Sequence, residues 1–158
     1  MLSTFLTFIA MSAPAHAVAY ATSPGSNCAA VYGGWSNQYN GGGRANNSSS
    51  TSTLILDCPM SHDWSYTNID GAVYVIDQHF SSNISCTFVN IYGSTSSASF
   101  YGGSSTVSSS GSNATPQALS FSAVSAGSLN TYNLRYCSLP ATYSGYKSGV
   151  ASYYVYEY

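Results

Sequence analysis

Alternation with a period of two is the feature that most constrains this chain. In Thr53–Cys58 (TLILDC) Leu54, Leu56 and Cys58 recur at every second residue, and in Ala118–Ala123 (ALSFSA) Leu119 and Phe121 alternate with Ser120 and Ser122. Successive side chains of an extended chain point to opposite sides, so each segment offers one apolar face. Beyond the first residues no window carries the i, i+3, i+4, i+7 spacing of a helix face. Ala72–Asp77 (AVYVID) is apolar on both faces, as a well-covered strand is. Further strands are expected at Cys28–Trp35, Ile84–Tyr92, Ala98–Tyr101, Tyr132–Leu139 and Val150–Tyr158. Ser36–Ser52 and Met60–Gly71 read as loops, and Ser104–Pro116 as a Ser-rich loop or edge, with Gly and Asn supplying positive φ. The expectation is an all-β chain: a β-sandwich of Greek-key (Ig-like) type with seven or eight short antiparallel strands, stabilised by disulfides. Arg135, not Tyr, stands two residues before Cys137, so the tyrosine corner of immunoglobulin domains is absent. Leu134 and Tyr136 fall on the face opposite Cys137, which a bulge or a twisted edge would reconcile.

The first 17 residues read as an export signal. Leu2–Met11 is an apolar run too short to span a bilayer, and Ala15-His16-Ala17 fits an A-x-A cleavage site, although no Lys or Arg precedes the run. Residues 18–158 then form a single domain with no second apolar segment able to anchor it, placed outside the cell, in the periplasm or at the cell surface. Four cysteines, Cys28, Cys58, Cys86 and Cys137, lie in that part, and none forms a C-x-x-C pair. In an exported chain they read as two disulfides with three connectivities open. Cys28–Cys58 with Cys86–Cys137 is preferred, since the first closes a Gly/Asn-rich loop and the second ties two strands in mid-strand.

Charge is scarce. Three Lys/Arg and five Asp/Glu make up 5% of the 158 residues, against about 25% in an ordinary domain. Nucleic acid binding needs several clustered cations and is excluded; so is electrostatic attachment to an anionic membrane. A hydrophobic fraction of 44% with 15% aromatics is more than a disordered chain carries.

Several features together resemble a group of small secreted proteins of bacteria to which no activity is assigned. They are a Cys before Tyr-Gly-Gly-Trp, a Gly/Asn/Ser loop, a strand ending in Cys-Pro with His-Asp soon after, an Ile-Ser-Cys strand, Tyr-x-x-x-Tyr-Cys-x-x-Pro, and a Tyr-rich terminal strand ending near Glu157. The resemblance implies export and a compact disulfide-bonded fold, and carries over no catalytic residue.

Chemistry-bearing residues are few. His62 with Asp63, and Asp77 with His79, are the only pairs with metal-ligand makeup, short of the three or four ligands zinc needs; no metal and no cofactor is expected. No G-x-S-x-G elbow occurs. The carboxylates Asp57, Asp63, Asp70, Asp77 and Glu157 sit in no glycosidase motif, so an enzyme is not expected. Trp35 with Asn37 and Tyr39, and Trp64 with Tyr66, have the makeup of a sugar site; the alternative is that both tryptophans plug the core. Tyr153, Tyr154, Tyr156 and Tyr158 crowd the last strand as a candidate interface. At a sheet edge that strand would invite pairing with another chain, whereas a central strand would have both faces covered; the pattern leaves the two open. Sequons stand at Asn46, Asn47, Asn83 and Asn113. The reading is a secreted, non-enzymatic structural or interaction module of the cell surface or extracellular matrix, self-associating through the Tyr-rich strand or contacting an extracellular glycan or protein. Its alternatives are a glycan- or surface-binding module using the Trp/Tyr/Asn loops, and a small secreted enzyme or inhibitor.

Overall fold

The computed structural model describes residues 19–32, 37–40, 43–60, 68–93, 98–100, 105–125 and 131–158. The strands are β1 (Ala19–Pro24), β2 (Ala29–Tyr32), β3 (Asn37–Asn40), β4 (Arg44–Asn47), β5 (Leu54–Pro59), β6 (Asn68–Ile76), β7 (Ser85–Gly93), β8 (Ala98–Phe100), β9 (Ser105–Ser108), β10 (Gln117–Ser125), β11 (Thr131–Leu139) and β12 (Gly149–Glu157). A 3-10 turn, Gly25–Asn27, is the only helical element among the described residues, and none there is long and apolar enough to cross a membrane.

The strands form two antiparallel sheets. Sheet A runs β10-β6-β12-β4-β3 with β1 also paired to β12; sheet B runs β2-β5-β11-β7-β8 with β9 also paired to β7. From β4 to β7, and again from β9 to β12, consecutive strands lie in alternate sheets, so the connections cross the sandwich as in a Greek key. The fold is therefore the expected all-β sandwich. The strands beyond the expected seven or eight include β1, next to the expected signal, and β3 and β4, inside the polar Ser36–Ser52 segment.

The core lies between the sheets and follows the alternation. Leu54, Leu56 and Cys58 from β5, Cys86 and Phe88 from β7, and Leu119 and Phe121 from β10 are all buried, with Ile84 just ahead of β7 beside them. Phe88 of sheet B meets Phe121 of sheet A with ring centroids 5.8 Å apart, a tilted aromatic contact worth about 0.5–1.5 kcal/mol beyond its area. The disulfides are Cys28–Cys58 and Cys86–Cys137. Cys86 and Cys137 are register partners, and Ala29 opposite Asp57 brings Cys28 level with Cys58. Both bridges thus join neighbouring strands of sheet B rather than the two sheets. Pairing of β11 is unbroken on both sides, so no bulge is needed there: Cys137 and Leu139 face the core and Tyr136 points outward, half-buried.

Candidate functional site

The last strand decides the site. β12 is neither an edge nor covered on both faces. It is paired to β6 along one side and to β4 and then β1 along the other, so it has no free edge for another chain, and strand addition through it is excluded. Its pairing with β6 slips between Val150 and Ser152. The extra residue, Ala151, reverses the alternation, as a bulge does. Val150, Tyr153, Val155 and Glu157 consequently face the core, and Tyr154 and Tyr156 face out. Tyr153 is 1% exposed, and its hydroxyl donates to the carbonyl of Pro59 in sheet B, 2.7 Å away. It ties the two sheets together and is not an interface residue, which corrects the expectation for that position. Tyr154, Tyr156 and Tyr158 remain at the surface.

Two neighbouring strands add rings to the same face. Ile69, Val73 and Val75 of β6 face the core, and Asp70, Ala72 and Tyr74 alternate with them on the other face, where Ala72 is buried, Asp70 half-buried and Tyr74 exposed. In register, Tyr74 lies opposite Ser152, Ala72 opposite Tyr154 and Asp70 opposite Tyr156. On the other flank Thr22 lies opposite Tyr154 and Tyr20 opposite Tyr156. Tyr20, Tyr154 and Tyr74 therefore form a diagonal over three strands, with centroid separations of 5.3 Å and 6.1 Å. Small neighbours (Thr22, Ala72 and Ser152) leave room for the rings to lie close. Tyr156 and Tyr158 form a second contact at 5.5 Å. Tyr20, Tyr74, Tyr156 and Tyr158 are exposed and Tyr154 half-buried. Asp70 is the one charged residue among the outward positions of β6 and β12.

None of the sequence-derived sugar candidates is among the described residues of this site. Trp35, Trp64 and Tyr66 fall outside the described residues, as do His62 and Asp63. Asn37 and Tyr39 fall on β3, at the far end of sheet A, opposite Asn47 and Ala45. Tyr20 and Tyr74 were missed because each is a single tyrosine in its segment; only the register brings them beside Tyr154.

The described carboxylates are dispersed. Asp77 is fully buried and saturated: its carboxylate accepts from the Ser109 and Ser148 hydroxyls at 2.5 Å and 3.0 Å and from the backbone N–H of His79 and Ile84. Glu157 is buried at the end of β12. Asp57 lies on the outward side of sheet B opposite Tyr136, away from Asp70 on sheet A. Burial raises the Asp57 carboxyl above its ordinary value, and its Oδ1 has no hydrogen-bond partner. Burial, and secondarily the Asp57 charge, raise the Tyr136 phenol. No group of three or more metal-ligating side chains occurs among the described residues. Two sequons are closed by burial: Asn46 and Asn47 are within the core, and the Asn47 amide donates to the carbonyls of Ser52, Leu139 and Pro140. Asn83 and Asn113 are exposed.

No family model and no curated protein matches the chain. Solved structures that show a distant likeness include two carbohydrate-binding modules. One is the CBM36-1 domain of a multidomain xylanase from the hindgut metagenome of Trinervitermes trinervoides, 12% identical, covering 89% of this chain and 98% of that one with a TM-score of 0.44. The other is a carbohydrate-binding module CBM36 in complex with calcium and xylotriose, 11% identical, covering 87% and 99% with a TM-score of 0.39. At these values neither assigns a function to this chain.

Proposed function

We propose that this chain is a non-catalytic binding module that lays an uncharged glycan across the outer face of sheet A. The observation that carries the reading is the diagonal Tyr20–Tyr154–Tyr74, three rings at contact spacing on a nearly uncharged sheet. A sugar ring has apolar C–H faces and a rim of hydroxyls. Tyrosine matches both, with a flat apolar body and a polar tip. The rings sit on paired strands rather than on loops, so little ordering is required on binding. Two disulfides fit the oxidising surroundings in which extracellular glycans occur.

Isothermal titration against soluble neutral polysaccharides tests the reading. Tyr154→Ala, which removes the central ring, is expected to weaken binding about tenfold or more, which corresponds to ~1.4 kcal/mol. Absence of binding to every neutral polysaccharide, or full affinity in Tyr154→Ala, overturns it. The same face supports a second reading, self-association, because it has so little charge to keep copies apart. Sedimentation distinguishes the two: a species that stays monomeric at high concentration while binding glycan leaves only the first.

A further inference from the structure

A second aromatic cluster stands at one end of the sandwich, on two loops rather than on a sheet. Phe80 follows β6, and Tyr143 precedes β12. Their rings stack at 6.0 Å with 24° between planes, and His79 packs on Tyr143 from 5.4 Å. Phe80 is 74% exposed, Tyr146 60% and Tyr143 44%. A phenylalanine held this far into solvent, with a ring stacked on it, is a flat apolar surface.

Both loops are fixed. Tyr143 and Tyr146 exchange backbone hydrogen bonds across Ser144 and Gly145, which both have positive φ, the geometry of a tight two-residue hairpin turn. The His79 ring accepts the backbone N–H of Ser81 and Ser82 at Nδ1. That assigns its proton to Nε2, a donor on a ring packed against Tyr143. Beneath them Asp77 holds the backbone of His79 and, through the Ser148 hydroxyl, the start of β12. The cluster is therefore built before any ligand arrives.

Its position relates it to the tyrosine face. The diagonal Tyr20–Tyr154–Tyr74 climbs across sheet A towards the end where β6 finishes and β12 begins. Tyr74 is its last ring, and His79 follows five residues later, at most about 18 Å along the chain. We infer that His79, Phe80 and Tyr143 form a second saccharide platform, and that the ligand is an extended neutral polysaccharide engaged at both places rather than a free sugar or a chain end. This rests on the glycan reading of the tyrosine face. The cluster repeats the chemistry of that face: exposed rings, a hydroxyl, a ring N–H donor and, among the described residues, no carboxylate in its contacts other than the buried Asp77.

Two platforms on one polymer make the second contact intramolecular, so affinity rises with chain length well beyond what either platform supplies. The experiment is titration of wild type, Phe80→Ala and Tyr154→Ala with a disaccharide, a hexasaccharide and the polymer of one neutral glycan. Thermal midpoints check that each variant is folded; Phe80 is exposed and outside the core, so its truncation leaves the fold intact. The expected result is that Phe80→Ala weakens polymer binding by about tenfold and disaccharide binding far less, since a disaccharide engages one platform at a time, and Tyr154→Ala weakens both. A polymer affinity that Phe80→Ala does not change, or an affinity that does not grow from disaccharide to polymer, overturns the second platform while leaving the tyrosine face in place. Failure of all three ligands to bind wild type overturns both.

Discussion

Tyr153 and Tyr154 are adjacent and chemically identical, yet one is a bolt between sheets and the other the centre of the candidate site. Alternation separates them, and one residue of register at Ala151 decides which of the two faces the core. Neither composition nor period two assigns them, because a bulge is set by how the strand meets β6 and by the turn passing beside it, not by the tyrosines. At the same scale Asp57 is an outlier. Its carboxyl stands opposite Tyr136 with one oxygen unpartnered, and burial raises it above the ordinary aspartate value. The folded chain then holds this proton more tightly than the unfolded chain, whose aspartate titrates near ~3.9. The stability this group contributes is present in full below that value and is lost as pH rises through the folded value. At neutral pH the charged form is a burden. Asp57→Asn is expected to raise the thermal midpoint at pH 7 and to leave it nearly unchanged near pH 3, where Asp57 already carries its proton. Melting curves at both pH values check it; an equal shift at the two would mean that packing, not ionisation, is responsible.

At the scale of elements, the strands that announced themselves are those with one apolar and one polar face: β5, β7, β10. Each buries alternate residues, because a half-buried strand must be amphipathic with period two. β3 and β4 did not announce themselves. Arg44–Asn47 reads as loop, and yet Ala45, Asn46 and Asn47 are buried; Asn47 replaces apolar packing with donors to three carbonyls. Polar residues that satisfy buried backbone look like surface in a sequence. The turn at Gly25 has the same character. A Cβ at Gly25 would collide with the Val150 carbonyl, on the strand just where the bulge begins. Glycine there lets the 3-10 turn lie against the bulge that sets the faces of β12. Gly25→Ala is expected to destabilise by about 3 kcal/mol, within the range for overpacking, or about 6–12 °C in the thermal midpoint of a chain this size. A midpoint within a degree or two of wild type would show that the turn can move away without disturbing β12.

For the molecule as a whole, scarcity of charge takes on a definite meaning once the faces are known. Net charge is −2, and the tyrosine face carries Asp70 as its one charged outward residue on β6 and β12. The loop cluster has rings and a histidine donor, with its carboxylate buried beneath. Recognition on either platform is then stacking and neutral hydrogen bonding, which ions do not screen, in contrast to pairing between exposed charges, which weakens within a Debye length of about 10 Å at 0.1 M salt and 3 Å at 1 M. Affinity for a neutral polysaccharide is therefore expected to change by less than about twofold between roughly 0.1 M and 1 M sodium chloride. An acidic polysaccharide would bind through cations and lose affinity steeply over the same interval, yet Arg44, Arg135 and Lys147 are the only Lys or Arg in the chain. Titrations across that salt range, on one neutral and one acidic polymer, separate the two. Strong salt dependence on the neutral polymer would place the contact on the charged residues instead of the tyrosines.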